Sequence, residues 1–157
     1  MIPAGSLSAA LALVECYQHT GRHEEAVGVL QQLFALDPDP ALRLSLCELY
    51  AEAEDWDEVV ALAAGVPNDD DLTLQTLLYL GRAHTEREES EDALAVYTEA
   101  LSSKRRYDEL LKEARYERGR THLRRGLKDF KEIHEVDPGY RDVARQLERG
   151  AGTSPDV

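Results

Sequence analysis

The sequence predicts an all-α protein assembled from stacked helix-turn-helix repeats, and three observations carry that expectation. Acidic-led segments recur: EEAVGVLQQLF from Glu24, DEVVALAAGV from Asp57 and EDALAVYTEA from Glu91, at intervals of 33 and 34 residues. A fixed period in that range marks repeat architectures in which each unit is one helical hairpin. No run of alternating Val, Ile, Thr and aromatic residues is bounded by turns, so strand signals are missing. The six prolines cluster near segment ends and leave long windows free for helix.

Each element follows from its own residues. In the first unit, Leu13, Val14 and Tyr17 form one face of a helix, which Gly21 closes because it tolerates positive φ. The partner helix buries Ala26, Leu30 and Leu33 and stops at LDPDP, where Pro38 cannot continue it. The second unit offers Leu46, Cys47 and Tyr50, then Val59, Ala63 and Val66, with Gly65 and Pro67 ending it early. Asp71 is placed to cap the next helix. The third unit gives Leu80, Gly81 and His84, then Ala93, Tyr97 and Ala100. Bare positions such as Gly81 and Ala93 let two helices approach to about 8–9 Å, while Tyr50 and Tyr97 fill the space between successive hairpins. An ordinary amphipathic bundle wants the same spacing but requires no period.

The fourth unit is irregular. GRTH at 119–122 echoes GRAH at 81–84, yet Gly119 lies only 19 residues before Pro138, against 24 from Val14 to Pro38. Tyr116, Gly119, Leu123, Leu127, Phe130 and His134 keep helical spacing straight through Gly126. One long helix from about Asp108 to Val136, kinked at Gly126, is expected here, with a tight hairpin at Gly126 as the alternative. A short helix over 140–149 would cap the apolar end of the stack, as helical arrays require.

These residues resemble the tetratricopeptide repeat (TPR) family. Its pattern asks for a bulky then a small residue and an aromatic three further on. A small, a large and a small residue follow at spacings of four and three, and a proline ends the unit. LG..H and A...Y..A in the third unit, and LV..Y, A...L..L and Pro38 in the first, answer that pattern. The family's usual Trp is absent, its place taken by Ala10, Arg43 and Leu77, and Trp56 reads as a packing residue. The resemblance implies a right-handed solenoid. Repeats fall at about 7–39, 40–73 and 74–107, with a degenerate unit at 108–138, inside one domain spanning 7–150. Flexible ends over 1–6 and 151–157 complete the expected layout. It also implies a concave groove lined by the first helix of each unit. By register that groove takes Leu11 and Glu15, Leu44 and Glu48, Leu78 and Arg82, and Tyr116 and Arg120. An apolar rail would then run beside a gradient from acid to base, suited to an extended or helical peptide; the same leucines could equally pad the inner helix faces. The family's carboxylate clamp needs Lys and Asn where Leu11 and Glu15 stand, so clamp binding is not expected.

Charge narrows the partners. The net charge is −13, but residues 1–71 hold 14 acids against Arg22 and Arg43, while residues 101–131 carry 11 Lys or Arg against five acids. An acidic body repels nucleic acid and anionic membranes and attracts basic partners. The basic block raises an alternative, a nucleic-acid-associated regulatory module acting around residues 104–131 with Tyr107 and Tyr116 interleaved. Its interspersed acids favour a solvated helix face instead. Self-association of this block with the acidic half of another copy is a further option.

Catalytic and metal patterns are missing from the sequence: it has no GxSxG, no Gly-rich phosphate loop, no HExxH and no CxxC. His19 and His23 flank Gly21 at a helix end and do not share a face, and the recurring acid pairs sit in first turns where the helix dipole favours them. Cys16 and Cys47 both fall on expected core faces as small apolar groups. SLSAALALVEC imitates a lipoprotein signal, but Glu15 precedes the cysteine and no base precedes the apolar run. No stretch reaches a membrane-spanning length. The expectation is a cytoplasmic, non-enzymatic protein-interaction module with no cofactor or metal, whose partner is a protein or peptide.

Overall fold

The computed structural model describes residues 4–102, 109–121 and 123–152. Among the described residues there are nine α-helices and no strand. They are α1 (Ala4–His19), α2 (His23–Leu36), α3 (Pro40–Glu52), α4 (Trp56–Ala63), α5 (Asp71–Glu86), α6 (Ser90–Ser102), α7 (Glu109–Thr121), α8 (Leu123–Val136) and α9 (Val143–Gly152). The chain divides into two compact units, Met1–Tyr79 and Leu80–Val157.

The period seen in the sequence is repeated in the backbone. Gly21 (φ 70°), Glu54 (φ 58°) and Glu88 (φ 61°) each take a left-handed conformation just past a first helix. In each case the next amide reaches back five residues: Arg22 N–H to Tyr17 O, Asp55 N–H to Tyr50 O and Glu89 N–H to His84 O, all at 2.8 Å. A second bond reaches back three, from Gly21, Glu54 and Glu88 to Gln18, Ala51 and Thr85. This left-handed cap satisfies the carbonyls that a helix end leaves open and turns the chain into the second helix. Only the first turn uses glycine; the other two hold a glutamate in a conformation that costs roughly 1 kcal/mol.

In the first unit, α1–α2 and α3–α4 are packed pairs, and α2 also packs on α3. Asp39 caps α3 by accepting from the Ala41 amide at 2.8 Å, with Pro40 in the first turn where its missing N–H is harmless. Ala26, Leu30, Leu33, Leu46, Cys47, Tyr50, Val59, Ala63 and Val66 are all buried, as the register requires. Two expectations fail on α1: Leu13 is 42% exposed and Cys16 is exposed, leaving Val14 as the helix's buried apolar contact. Leu13 and Cys16 stand about 100° and 160° round the helix from Val14, too far to share its inward face. The α5 cap is Asp70 rather than Asp71: Asp70 Oδ1 accepts from the Thr73 amide at 2.9 Å, and the Thr73 hydroxyl oxygen accepts from the Asp70 amide.

In the second unit the expected long helix over 108–136 does not exist. α7 ends at Thr121, α8 begins at Leu123, and the two run antiparallel; Asp108 and His122 lie outside the described residues. Lys112 meets Asp137 at 3.1 Å, Arg115 meets Glu132 at 3.1 Å and Arg118 meets Asp129 at 2.8 Å, so climbing one helix descends the other. Gly126, the turn of the alternative reading, lies inside α8. α9 follows Arg141, itself left-handed at φ 46°, and packs Val143 and Leu147 with Tyr140 onto Tyr116, Phe130 and Ile133.

Candidate functional site

The register singled out one apolar and one polar residue on each first helix, and the structure separates the two classes. Leu11 is 37% exposed, but Leu44 (7%), Leu78 (8%) and Tyr116 (5%) are buried. Glu15, Arg82 and Arg120 are exposed, and Glu48 is half-buried. Within the first unit, Glu48 lies one turn from Glu52 on α3. Burial, then the Glu52 charge, push its carboxyl above the ordinary range, so this spot would gain from a cation. In the second unit Arg120 reaches Glu117 only loosely, at 3.8 Å, and lies 6.0 Å over the Tyr116 ring.

Tyr116 is occupied by its own chain. Its ring packs edge-on to Phe130 and Tyr140, with centroids 5.8 and 6.0 Å away, and Arg141 stacks over it at 4.8 Å. Its hydroxyl donates to Asp142, which holds that carboxyl below the usual range. The capping segment over 140–149 was expected from the sequence, but its consequence, that it covers Tyr116, was missed.

Three cations of the basic block, Lys112, Arg115 and Arg118, are held in ion pairs, and Arg141 beyond the block joins them. Lys112 bridges Glu109 and Asp137, Arg115 meets Glu132, Arg118 holds Asp129 in a two-point grip, and Arg141 bonds Glu117 at 2.9 Å. Lys104, Arg105, Arg106 and Tyr107 lie outside the described residues.

One group among the described residues has the composition of a metal site: His84, Glu89 and Asp92 offer ligand atoms within 4.8 Å of one another. Its geometry argues for another role. His84 Nδ1 already lies 2.6 Å from Glu89 Oε2, and Arg87 binds the other carboxylate oxygen at 2.8 Å. A guanidinium and the positive end of α6, which starts at Ser90, both oppose a cation. These contacts lower the Glu89 pKa, the His84 bond first, and tie the α5–α6 turn shut. His23, the other histidine considered, turns Nε2 to the Leu49 carbonyl at 2.7 Å and so links α2 to α3.

No helix among the described residues is long and apolar enough to cross a membrane. Residues 9–44, which run from α1 through α2 into α3, match the sequence model of the tetratricopeptide repeat. No curated protein matches the sequence. A tetratricopeptide repeat protein from Parabacteroides merdae ATCC 43184 is similar in structure, with a TM-score of 0.73 at 19% identity. The match covers 92% of this chain and 60% of that one, so this chain spans less than two thirds of that protein. The nearly identical TPR-like repeats ascribed to a kinesin light chain of Podosopora anserina align with a TM-score of 0.66 at 17% identity, over 93% of this chain and 85% of theirs. At such identities the likeness concerns the fold alone. Residues 9–44 carry a tetratricopeptide repeat, and the chain around them has the fold of tetratricopeptide repeat proteins.

Proposed function

We propose that this chain is a non-catalytic protein-interaction module, a scaffold or adaptor, that holds a peptide or partner helix against the first helices of its repeats. The observation that carries this is the exposure of Glu15, Arg82 and Arg120, with Glu48 half-buried beside them in the register, on a repeat fold whose general use is protein binding. Their signs differ: Glu15 and Glu48 in the first unit ask for a basic stretch, Arg82 and Arg120 in the second for an acidic one. Leu11 supplies an exposed apolar anchor, whereas Leu44, Leu78 and Tyr116 act as packing residues behind the contact. A cytoplasmic setting fits such a module. The ion pairs of Lys112, Arg115 and Arg118 argue against the nucleic-acid alternative, because cations already neutralised release few counterions on binding phosphates.

The test is a peptide selection on the purified protein followed by anisotropy titrations. Reversing Arg82 and Arg120 together to Glu should weaken the selected peptides about tenfold or more while the melt stays unchanged. Reversing Glu15 and Glu48 to Lys should do the same for peptides with a basic end. Peptides that bind both double variants as well as the natural protein would place the contact elsewhere. Salt-dependent retardation of arbitrary duplex DNA would restore the alternative.

A further inference from the structure

α1 has two apolar stripes, and only one of them has a partner. Leu7, Ala10, Val14 and Tyr17 are buried or half-buried, and they recur at three- and four-residue spacing on the inward side. Ala9, Ala12, Leu13 and Cys16 recur at the same spacing on another side, and all four are exposed. At 100° per residue, Leu13 stands about 160° round the helix from both Leu11 and Glu15, so this second stripe is not the face proposed above. Glu15 is the only Asp, Glu, Lys or Arg among the 16 residues of α1, and His19 the only histidine. An apolar stripe on a helix is normally covered by a packing partner, and this second stripe is exposed. Its small residues, Ala9 and Ala12, would let the backbone of another helix come close.

Charge selects the occupant. The first unit holds 14 acids and two bases. Both bases are engaged: Arg22 lies 2.9 Å from Glu25 and over the Tyr17 ring, and Arg43 lies over the Phe34 ring. A second copy using this face would bring two strongly negative units together, and anionic lipid would be repelled in the same way. A helix with Lys and Arg flanking an apolar stripe gains on both counts. We infer that the outer face of α1, centred on Ala9, Ala12, Leu13 and Cys16, docks a basic amphipathic helix of another protein.

The probe is a labelled helical peptide of about 18 residues with Leu and Ala at i, i+3, i+4 and i+7 and Lys on both flanks. Two controls accompany it, one with Glu in place of Lys and one with the same composition scrambled. Anisotropy should show the Lys-flanked peptide binding at least about tenfold tighter than either control. Raising salt from about 50 to about 300 mM should weaken it. Ala12→Gln with Leu13→Gln should abolish the binding without moving the melt, since both positions are exposed and Gln suits a helix. Leu11→Gln with Glu15→Gln, on the other face, should leave it intact, which separates this surface from the one proposed above. Equal binding of the scrambled peptide, or unchanged binding by the Ala12/Leu13 variant, would overturn the assignment. So would a dimer in sedimentation, or vesicle binding, that the Leu13→Gln change removes.

Discussion

The third and fourth hairpins lie side by side in the sequence and solve one packing problem in opposite ways. Between α5 and α6 the fit is steric. Gly81 lies beneath the fully buried Tyr97 ring, and Ala83, Ala93 and Ala100 are also wholly buried. Between α7 and α8 a buried glycine, Gly119, is kept and Tyr116 packs on Phe130, but three ion pairs also join the two helices: Arg118 with Asp129, Arg115 with Glu132, Lys112 with Asp137. Steric fit is indifferent to salt and pH, and it fails through volume. Ion pairs tolerate volume, but each depends on its partner, because a buried charge without one is far costlier than the pair is favourable. A repeat can therefore keep its shape while exchanging the chemistry that holds it.

The largest expected effect follows from the ionic hairpin. Asp129 is 1% exposed, and its two oxygens take both arms of the Arg118 guanidinium. Asp129→Asn should cost about 3 kcal/mol in a denaturant titration, because it strands a partly buried cation. Replacing both partners together, Arg118→Met with Asp129→Leu, should recover most of that loss. A single change that costs no more than the double one would show that the grip contributes little, and the contrast between the hairpins would collapse.

The steric hairpin gives the next test. A Cβ built on Gly81 would lie 2.5 Å from Tyr97 Cε1 and 2.6 Å from its Cζ, and the buried ring has no room to retreat. Gly81→Ala should thus destabilise by about 1–3 kcal/mol even though alanine is the better helix former by about 1 kcal/mol. In a Tyr97→Leu background the clash is gone, and the same Gly81→Ala change should become neutral or stabilising. A loss of equal size in both backgrounds would mean that ring contact is not what keeps the position bare.

The same contrast explains what the sequence could and could not disclose. Steric hairpins are legible because small and large residues recur at a fixed interval, and Gly81, Ala93, Tyr97 and Ala100 sit where that interval puts them. The ionic hairpin was misread as one helix because two antiparallel helices, each with one buried stripe, show the same spacing as a single continuous one. The distinguishing signal was the mirrored order of charges, Lys112, Arg115 and Arg118 ascending against Asp137, Glu132 and Asp129 descending. It has meaning only once a reversal is assumed. Among the candidate site residues Glu15, Arg82 and Arg120 reached the surface and Glu48 is half-buried, since burying an ion fully needs a partner the register does not supply. Leu44, Leu78 and Tyr116 did not, because nothing in a linear register separates an apolar residue facing a ligand from one facing the next helix. Leu13 and Cys16 failed for the reverse reason, as apolar residues on a helix turned towards solvent.

The smallest expected effect tests whether the cap on the ionic hairpin is held by charge as well. Tyr116→Phe keeps the ring contacts with Phe130 and Tyr140 and deletes the bond to Asp142, so it should cost about 1 kcal/mol near neutral pH. Its pH dependence is the sharper readout. The Tyr116 hydroxyl lowers the Asp142 pKa below 3.8, so the bond contributes fully above that ordinary value and is lost as pH falls through the folded one. Burial, with the bond to Asp142 second, raises the Tyr116 phenol from 10 to about 12, so the contribution is also lost as pH rises across that interval. The difference in melting temperature between the natural protein and the Phe variant should therefore form a plateau from about pH 5 to pH 10 and narrow at both ends. The Gly81→Ala change neither adds nor removes an ionisable group, and burial raises the phenol of Tyr97 above its ordinary value, so the difference should stay level from about pH 5 to pH 10. If the two curves ran parallel, the cap would be held by ring packing alone, and the fourth hairpin would owe its closure to the same steric fit as the third.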